Sequence, residues 1–267
     1  MKYLLRYWRV LPGKARAKYK VLFLDFDGTL AKIVKSPRKA RIEPSIKLLL
    51  LRITQDKAYR VAVISGRALG DIKKRVGIKG IVYIGNHGLE IDGSKIRFSG
   101  FQIDKFRLTL KRLKAKLKQR LDPIKGIFIE DKGLSLSVHY RLVKKKDLAF
   151  FKAAFAQITA EYASGNKIKI HPGKKVFEIR PPLQWDKGKV ALWLLARWKS
   201  AFADKEVLTV YIGDDLTDED AFRALAGKAI TAVVGKRKDS AAAYYLNNVG
   251  EVARFLNVLG PAKCLKL

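Results

Sequence analysis

Residues 19–27 read YKVLFLDFD, an apolar run that fills a whole strand with no alternation of polar positions. A strand needs such a run only when it is buried on both faces, and strands of that kind sit in parallel sheets covered by helices. The segments that follow keep to this demand. PSIKLLLLRITQ carries apolar residues at helical spacing, YRVAVISGR repeats the strand pattern, ALGDIKKRVG gives a short helix, and GIVYIGNHG a strand again. Strands alternating with helices imply right-handed crossovers, so the opening reads as α/β, doubly wound about a parallel sheet. The 267 residues, 48% of them hydrophobic, suffice for a core and for one or two domains.

From about residue 104 the pattern changes. FRLTLKRLKAKLKQRL sets Leu110, Leu113, Leu117 and Leu121 on one helical face and basic residues on the other. GIFIED and LSLSVHYR then alternate as two strands joined across Asp131, Lys132 and Gly133. A second helix, DLAFFKAAFAQITAEYA, precedes KIKIH and KVFEIRP, strands joined across Pro172, Gly173 and Lys174. The α/β pattern resumes with KGKVALWLLARW, VLTVYIGDD, TDEDAFRAL and AITAVVG. The expected organisation is a core of residues 1–103 and 182–267 with an α+β domain of residues 104–181 inserted. In the inserted sheet Leu134, Leu136 and Val138 point to one face. Ser135, Ser137, His139 and Arg141 point to the other, where Glu130, His171, Glu178 and Arg180 can join them. Such a face is ordinary solvated surface or the roof of a polar ligand site.

In an open parallel sheet, ligands bind beyond the carboxyl ends of the strands. Asp25 and Asp27 follow the first core strand, Ser65 ends the second, and Asp214 and Asp215 end a later one. Taken alone, Asp25 and Asp27 fit a turn, Ser65 a strand-end turn with Gly66, Lys187 a surface lysine opening a helix, and Asp218 and Glu219 a helix N-terminus. Gathered at one edge, the carboxylates repel one another unless a cation neutralises them. With no Cys or His cluster nearby, hard oxygen ligands favour Mg²⁺ over Zn²⁺.

DFDGTL, SGR, the lysine of DKG and GDDLTDED resemble, in type and order, the four motifs of the haloacid dehalogenase (HAD) superfamily of phosphohydrolases. Within it GNHGLE, IEDKGLSLSVHYR, GKKVFEIRPPLQWDKGKV and GDDLTDEDAF look like trehalose 6-phosphate phosphatases. The resemblance implies a HAD-like core with a C2B-like cap, and Mg²⁺-dependent hydrolysis of a sugar phosphate. It makes Asp25 the nucleophile, Asp27 the acid and base, and Ser65 and Lys187 the phosphoryl-binding groups. Mg²⁺ would be held by Asp25, the carbonyl of Asp27 and Asp214, with Asp218 or Asp215 orienting its waters. Gly66 and Arg67 of SGR count among the substrate-binding residues. Glu130, Lys132, His139, Arg141, Lys174 and Glu178 would meet sugar hydroxyls as the cap closes. His87 is either a hinge or rim residue or a structural histidine. Another phosphorylated sugar or glycerate is the alternative substrate.

Lys and Arg number 56 against 24 Asp and Glu, a net charge of +32. This excess is either a dispersed solvated surface or a field drawing in an anionic partner. A nucleic-acid-binding protein on a HAD scaffold is the third reading; filled catalytic positions and the lack of a stacking-aromatic motif speak against it. The basic segment before Lys20 belongs to none of the motifs, and suggests a short docking helix or a tail. Arg6 and Arg9 interrupt any signal-peptide core, and no apolar run is long enough to cross a membrane. A single cysteine, Cys264, fits a reducing compartment, and the expectation is a cytoplasmic protein with no membrane partner.

Overall fold

The computed structural model describes residues 1–8, 17–34, 36–93, 96–98, 103–173, 175–183, 185–203 and 205–261. Lys174 and Cys264 lie outside them. The chain divides into two compact units, Met1–Phe98 with Trp185–Leu267, and Ser99–Gln184.

The first unit opens with β1 (Lys2–Tyr3) and α1 (Leu4–Trp8), then β2 (Tyr19–Leu24), α2 (Pro44–Gln55), β3 (Tyr59–Ile64), α3 (Leu69–Val76) and β4 (Val82–Gly85). A hairpin of β5 (Glu90–Gly93) and β6 (Ile96–Phe98) follows. Among the described residues its sheet has the order β1-β13-β12-β11-β2-β3-β4-β5-β6, where the strands numbered above β10 come from the C-terminal part of the chain. These are β11 (Val207–Gly213), β12 (Ile230–Val234) and β13 (Tyr244–Leu246). From β1 to β4 every pairing is parallel, and the β5–β6 hairpin adds two antiparallel strands at one edge.

Alternation along β2 shows why the apolar run is required. Leu22 and Leu24 join Ile46, Leu50 and Ile53 of α2 on one side of the sheet, while Val21 and Phe23 pack on the other with Val190, Leu194 and Trp198. Both sides are closed by helices, so neither set of positions tolerates a polar residue. The basic N-terminus is no free tail over its first eight residues. Lys2 and Tyr3 pair with Tyr244 and Tyr245 at the sheet edge, and Leu4 and Trp8 are buried in the core.

The second unit runs α4 (Ile103–Leu121), β7 (Phe128–Asp131), β8 (Leu136–His139), α5 (Leu148–Ser164), β9 (Lys169–Gly173) and β10 (Val176–Arg180), with an antiparallel sheet ordered β7-β8-β10-β9. Leu110, Leu113, Leu117 and Leu121 are buried as their spacing requires. Phe155 of α5 stacks on Phe177 of β10 at 4.6 Å, so a helix closes one face of this sheet. On the opposite face Glu130, Ser137, Glu178 and His171 stand in one cross-strand row. Arg141 departs from its expected place: β8 ends at His139, and Arg141 is exposed in the turn beyond.

The remaining helices of the first unit are α6 (Lys187–Ala201), α7 (Asp218–Ala224) and α8 (Val249–Leu259). No described helix is long and apolar enough to cross a membrane.

Candidate active site

β2, with β3 on one side and β11 on the other, forms the middle of the large sheet. After β2 the chain builds β3 and β4 on one side and returns with β11 on the other, so the boundary between β2 and β11 is a topological switch point. Asp25 leaves β2 and Asp214 leaves β11 at that boundary, with the Asp25 N–H donating to the Ile212 carbonyl at 2.9 Å. Gly28 has a φ of +84°, and a Cβ there would collide with the Asp214 carboxylate. The glycine lets the DFDGT turn lie against the second acidic loop.

Lys187 stands at the start of α6, whose N-cap Asp186 accepts from the Lys189 N–H at 2.8 Å. A Cβ on Gly188 would come within 2.5 Å of the Asp220 carbonyl, so the glycine allows α6 and α7 to approach closely. That approach carries the Lys187 ammonium into the carboxylates: Nζ donates to Asp25 Oδ1 at 2.8 Å and to Asp218 Oδ1 at 2.9 Å. Lys187 is 2% exposed and Asp218 wholly buried. Tyr211, in β11, also donates to Asp218 Oδ1, at 2.7 Å, and the N–H groups of Asp214 and Asp215 donate to Asp218 Oδ2. Asp218 therefore organises the loop as well as facing the lysine.

The electrostatics follow from one ammonium serving several acids. Burial and the nearby acids lift Asp25 well above the carboxylate range despite the opposing Lys187. Burial, Asp215 and Asp218 push Asp214 up to about 8, and burial, partly offset by Lys187, lifts Asp218 to about 6. Burial opposes the charge of Lys187, but Asp215, Asp218 and Asp25 outweigh it and raise its pKa. Such a cluster is short of positive charge. Asp25, Asp214 and Asp218 offer oxygens that all lie within 4.8 Å of one another, a hard donor set suited to a divalent cation. Asp215 is not in that group. Its Oδ1 accepts from the N–H and O–H of Thr217 and the N–H of Asp218, which with Lys187 hold its pKa low against the effect of burial.

Ser65 is 1% exposed at the end of β3. The ring of His87 lies against Gly66, where a Cβ would sit 2.5 Å from it. His87 is itself buried, in a left-handed turn with a φ of +58°. Its place is that of a packed residue of the turn that follows β4. Arg67 turns towards Asp27, with Nε donating to Oδ2 at 2.7 Å and Nη2 to Oδ1 at 2.6 Å.

In the second unit the polar face holds one hydrogen-bonded pair and one ion-paired group. His139 Nε2 lies 3.0 Å from Glu130 Oε2, and Phe128 stacks on the His139 ring at 5.7 Å. Lys132 donates to Glu178 Oε1 at 3.2 Å while Arg180 pairs with Oε2. The expected sugar-binding residues Glu130, Lys132, His139 and Glu178 thus share one face, whereas Arg141 lies beyond the strand. Tyr211 and the Arg67–Asp27 pair escaped the sequence reading, since nothing in local spacing announces either partner.

The sequence model of the trehalose-phosphatase family matches residues 23–249, a span that contains every core motif above. A probable trehalose-phosphate phosphatase D of Arabidopsis thaliana is 32% identical over 265 residues, covering 95% of this chain and 70% of that protein. A trehalose-phosphate phosphatase of Mycobacterium tuberculosis is 34% identical over 255 residues, covering 91% of this chain and 62% of that one. Among solved structures, a trehalose-6-phosphate phosphatase of Aspergillus fumigatus superposes with a TM-score of 0.68 at 25% identity, covering 97% of this chain and 98% of that one. The C-terminal domain of the Candida albicans trehalose-6-phosphate phosphatase gives 0.79 at 22% identity over 97% and 98% of the two chains, a likeness of fold. With the motif residues gathered at the switch point of a HAD-type sheet and the family model running across them, this chain belongs to the trehalose-phosphatase family.

Proposed function

We propose that the protein is a phosphoric monoester hydrolase that releases phosphate from trehalose 6-phosphate. The observation that carries this reading is the meeting of half-buried Asp214 with buried Asp25, Asp218 and Lys187, in a chain of the trehalose-phosphatase family. An Asp25 carboxylate oxygen attacks phosphorus, and the bond from phosphorus to the sugar oxygen breaks, leaving its electron pair on that oxygen. Asp27 gives the departing oxygen a proton. Asp27 then takes a proton from water, which attacks the aspartyl-phosphate, frees inorganic phosphate and restores Asp25. Lys187 holds Asp25 in place and offsets the charge on the phosphoryl oxygens as it moves through them, while the Ser65 hydroxyl donates to one of those oxygens. Asp25, Asp214 and the carbonyl of Asp27 would hold Mg²⁺, with Asp218 behind them, and its charge would stabilise the phosphoryl oxygens.

On the second unit, Glu130, Lys132, His139 and Glu178 supply hydrogen bonds to sugar hydroxyls, with Lys174, outside the described residues, as a further donor. The hydrogen bond between His139 and Glu130 and the ion pairs of Glu178 with Lys132 and Arg180 support this role, because paired groups keep donors and acceptors oriented without needing a ligand. The cytoplasm, expected from the lone cysteine, is the proposed site of action. The test is Asp25→Asn, which removes the nucleophile and nearly preserves its shape. Turnover of trehalose 6-phosphate should fall below detection while circular dichroism stays unchanged. Turnover at the wild-type rate would remove Asp25 from this role.

A further inference from the structure

We propose that Arg67 is the positioning residue for Asp27, holding the carboxylate that transfers the proton; this rests on the phosphatase reading above. The resemblance counts Arg67 among substrate-binding residues, but its donors are already committed. Nε and Nη2 form a fork on the two oxygens of Asp27 at 2.7 and 2.6 Å, Nη2 also donates to the Pro37 carbonyl at 2.9 Å, and Nη1 donates to Asp71 Oδ2 at 2.9 Å. Four of the five guanidinium N–H groups are thereby spent within the protein, leaving little for a phosphoryl group.

The guanidinium is itself immobilised. It lies over the Phe26 ring at 5.4 Å, and its side chain is 10% exposed. Asp71, its second anchor, also accepts from Arg75 Nε at 2.8 Å, and Arg75 Nη1 donates to the Ala40 carbonyl at 2.6 Å. The Arg67 N–H donates to Ser65 Oγ at 3.2 Å, so the turn that places the serine places the arginine too. Asp27 is the more exposed partner of the fork, its side chain 44% exposed, and Arg67 is what holds both of its oxygens. A free carboxylate turns readily about its last torsion, whereas a forked pair fixes its plane and leaves the second lone pair of each oxygen open for a proton. Misplacing an acid by about 1 Å can cost about 10²-fold in rate.

A double-mutant cycle on kcat/KM for trehalose 6-phosphate tests the inference, using Arg67→Ala, Asp27→Asn and the pair together. Arg67→Ala should lower kcat/KM about 10²-fold, and in the Asp27→Asn background should lower it no further. Inhibition by inorganic phosphate should stay within about twofold, because a residue committed to Asp27 adds no phosphate affinity. Multiplying losses, or a weakened phosphate inhibition constant, would overturn the inference in favour of a direct phosphoryl contact. Should Arg67→Ala fail to fold, Arg67→Lys takes its place in the cycle. A lysine keeps the charge and loses the fork, so its loss is smaller but must again vanish without Asp27. Wild-type turnover is measured first: a wild type that prefers another phosphate ester overturns the substrate reading, and the cycle then runs on that ester. A wild type that releases phosphate from no ester sinks the reading and the inference with it.

Discussion

Lys187 is wholly enclosed, and its ammonium stands between Asp25 and Asp218 with Asp215 3.7 Å away. Replacing it with methionine keeps most of the volume and leaves the acids facing one another. Breaking a buried ion pair from one side costs about 3–5 kcal/mol, so Lys187→Met should lower Tm clearly in the presence of chelator. Added Mg²⁺ should raise the Tm of the variant by more than that of the wild type, because the cation replaces the missing charge. Scanning calorimetry with and without metal checks this, and equal metal responses would contradict it. How Lys187 meets Asp25 was readable from order alone, since both belong to motifs of one family. The meeting of Tyr211 with Asp218 was not, because the phenol sits in an apolar strand where a tyrosine reads as packing. The Arg67–Asp27 fork joins residues 40 positions apart and depends on the direction of a turn that the sequence does not encode in any short pattern.

At the scale of elements, the polar face of β7, β8 and β10 is where sugar selectivity should reside. A hydrogen bond to a charged group contributes about 1.5–3 kcal/mol, so Glu178→Ala should lower kcat/KM for trehalose 6-phosphate about tenfold or more. Turnover of an aryl phosphate, which has no sugar hydroxyls, should change by no more than about twofold. Equal losses on the two substrates would remove Glu178 from sugar binding. The alternation in LSLSVHYR predicted the placement of Ser137 and His139 on that face, and their register against Glu178 and Val176 agrees. It overran at Arg141 because the strand gives way to a turn that the same residues can also enter. The core strands and helices were legible for a physical reason: burial on both faces demands an apolar run that few other environments require. The β5–β6 hairpin, β1 and β13 were not, since short edge strands are fixed by partners distant in sequence.

For the molecule as a whole, the basic N-terminal segment serves the fold over its first eight residues by extending the sheet. Its anchor is Glu251 of α8, which accepts from the Tyr3 hydroxyl at 2.9 Å and from the Asn247 side chain at 3.0 Å. Burial works against ionising Glu251, but the hydrogen bonds from Asn247 and Tyr3 outweigh it and hold its pKa below the ordinary 4.5. A carboxyl that titrates lower in the fold stabilises it fully above the unfolded value and loses that contribution as pH falls through the folded one. Glu251→Gln should therefore lower Tm at neutral pH and flatten the fall of Tm below about pH 4.5; parallel pH profiles for variant and wild type would contradict the anchor. The chemistry is tested by phosphate release from a panel of sugar phosphates, led by trehalose 6-phosphate, with Mg²⁺ and again with chelator. Trehalose 6-phosphate should release phosphate rapidly and chelator should abolish that release; release unaffected by chelator, or none from trehalose 6-phosphate when another ester is cleaved, would overturn the assignment of Asp25, Asp27 and Lys187 to this reaction.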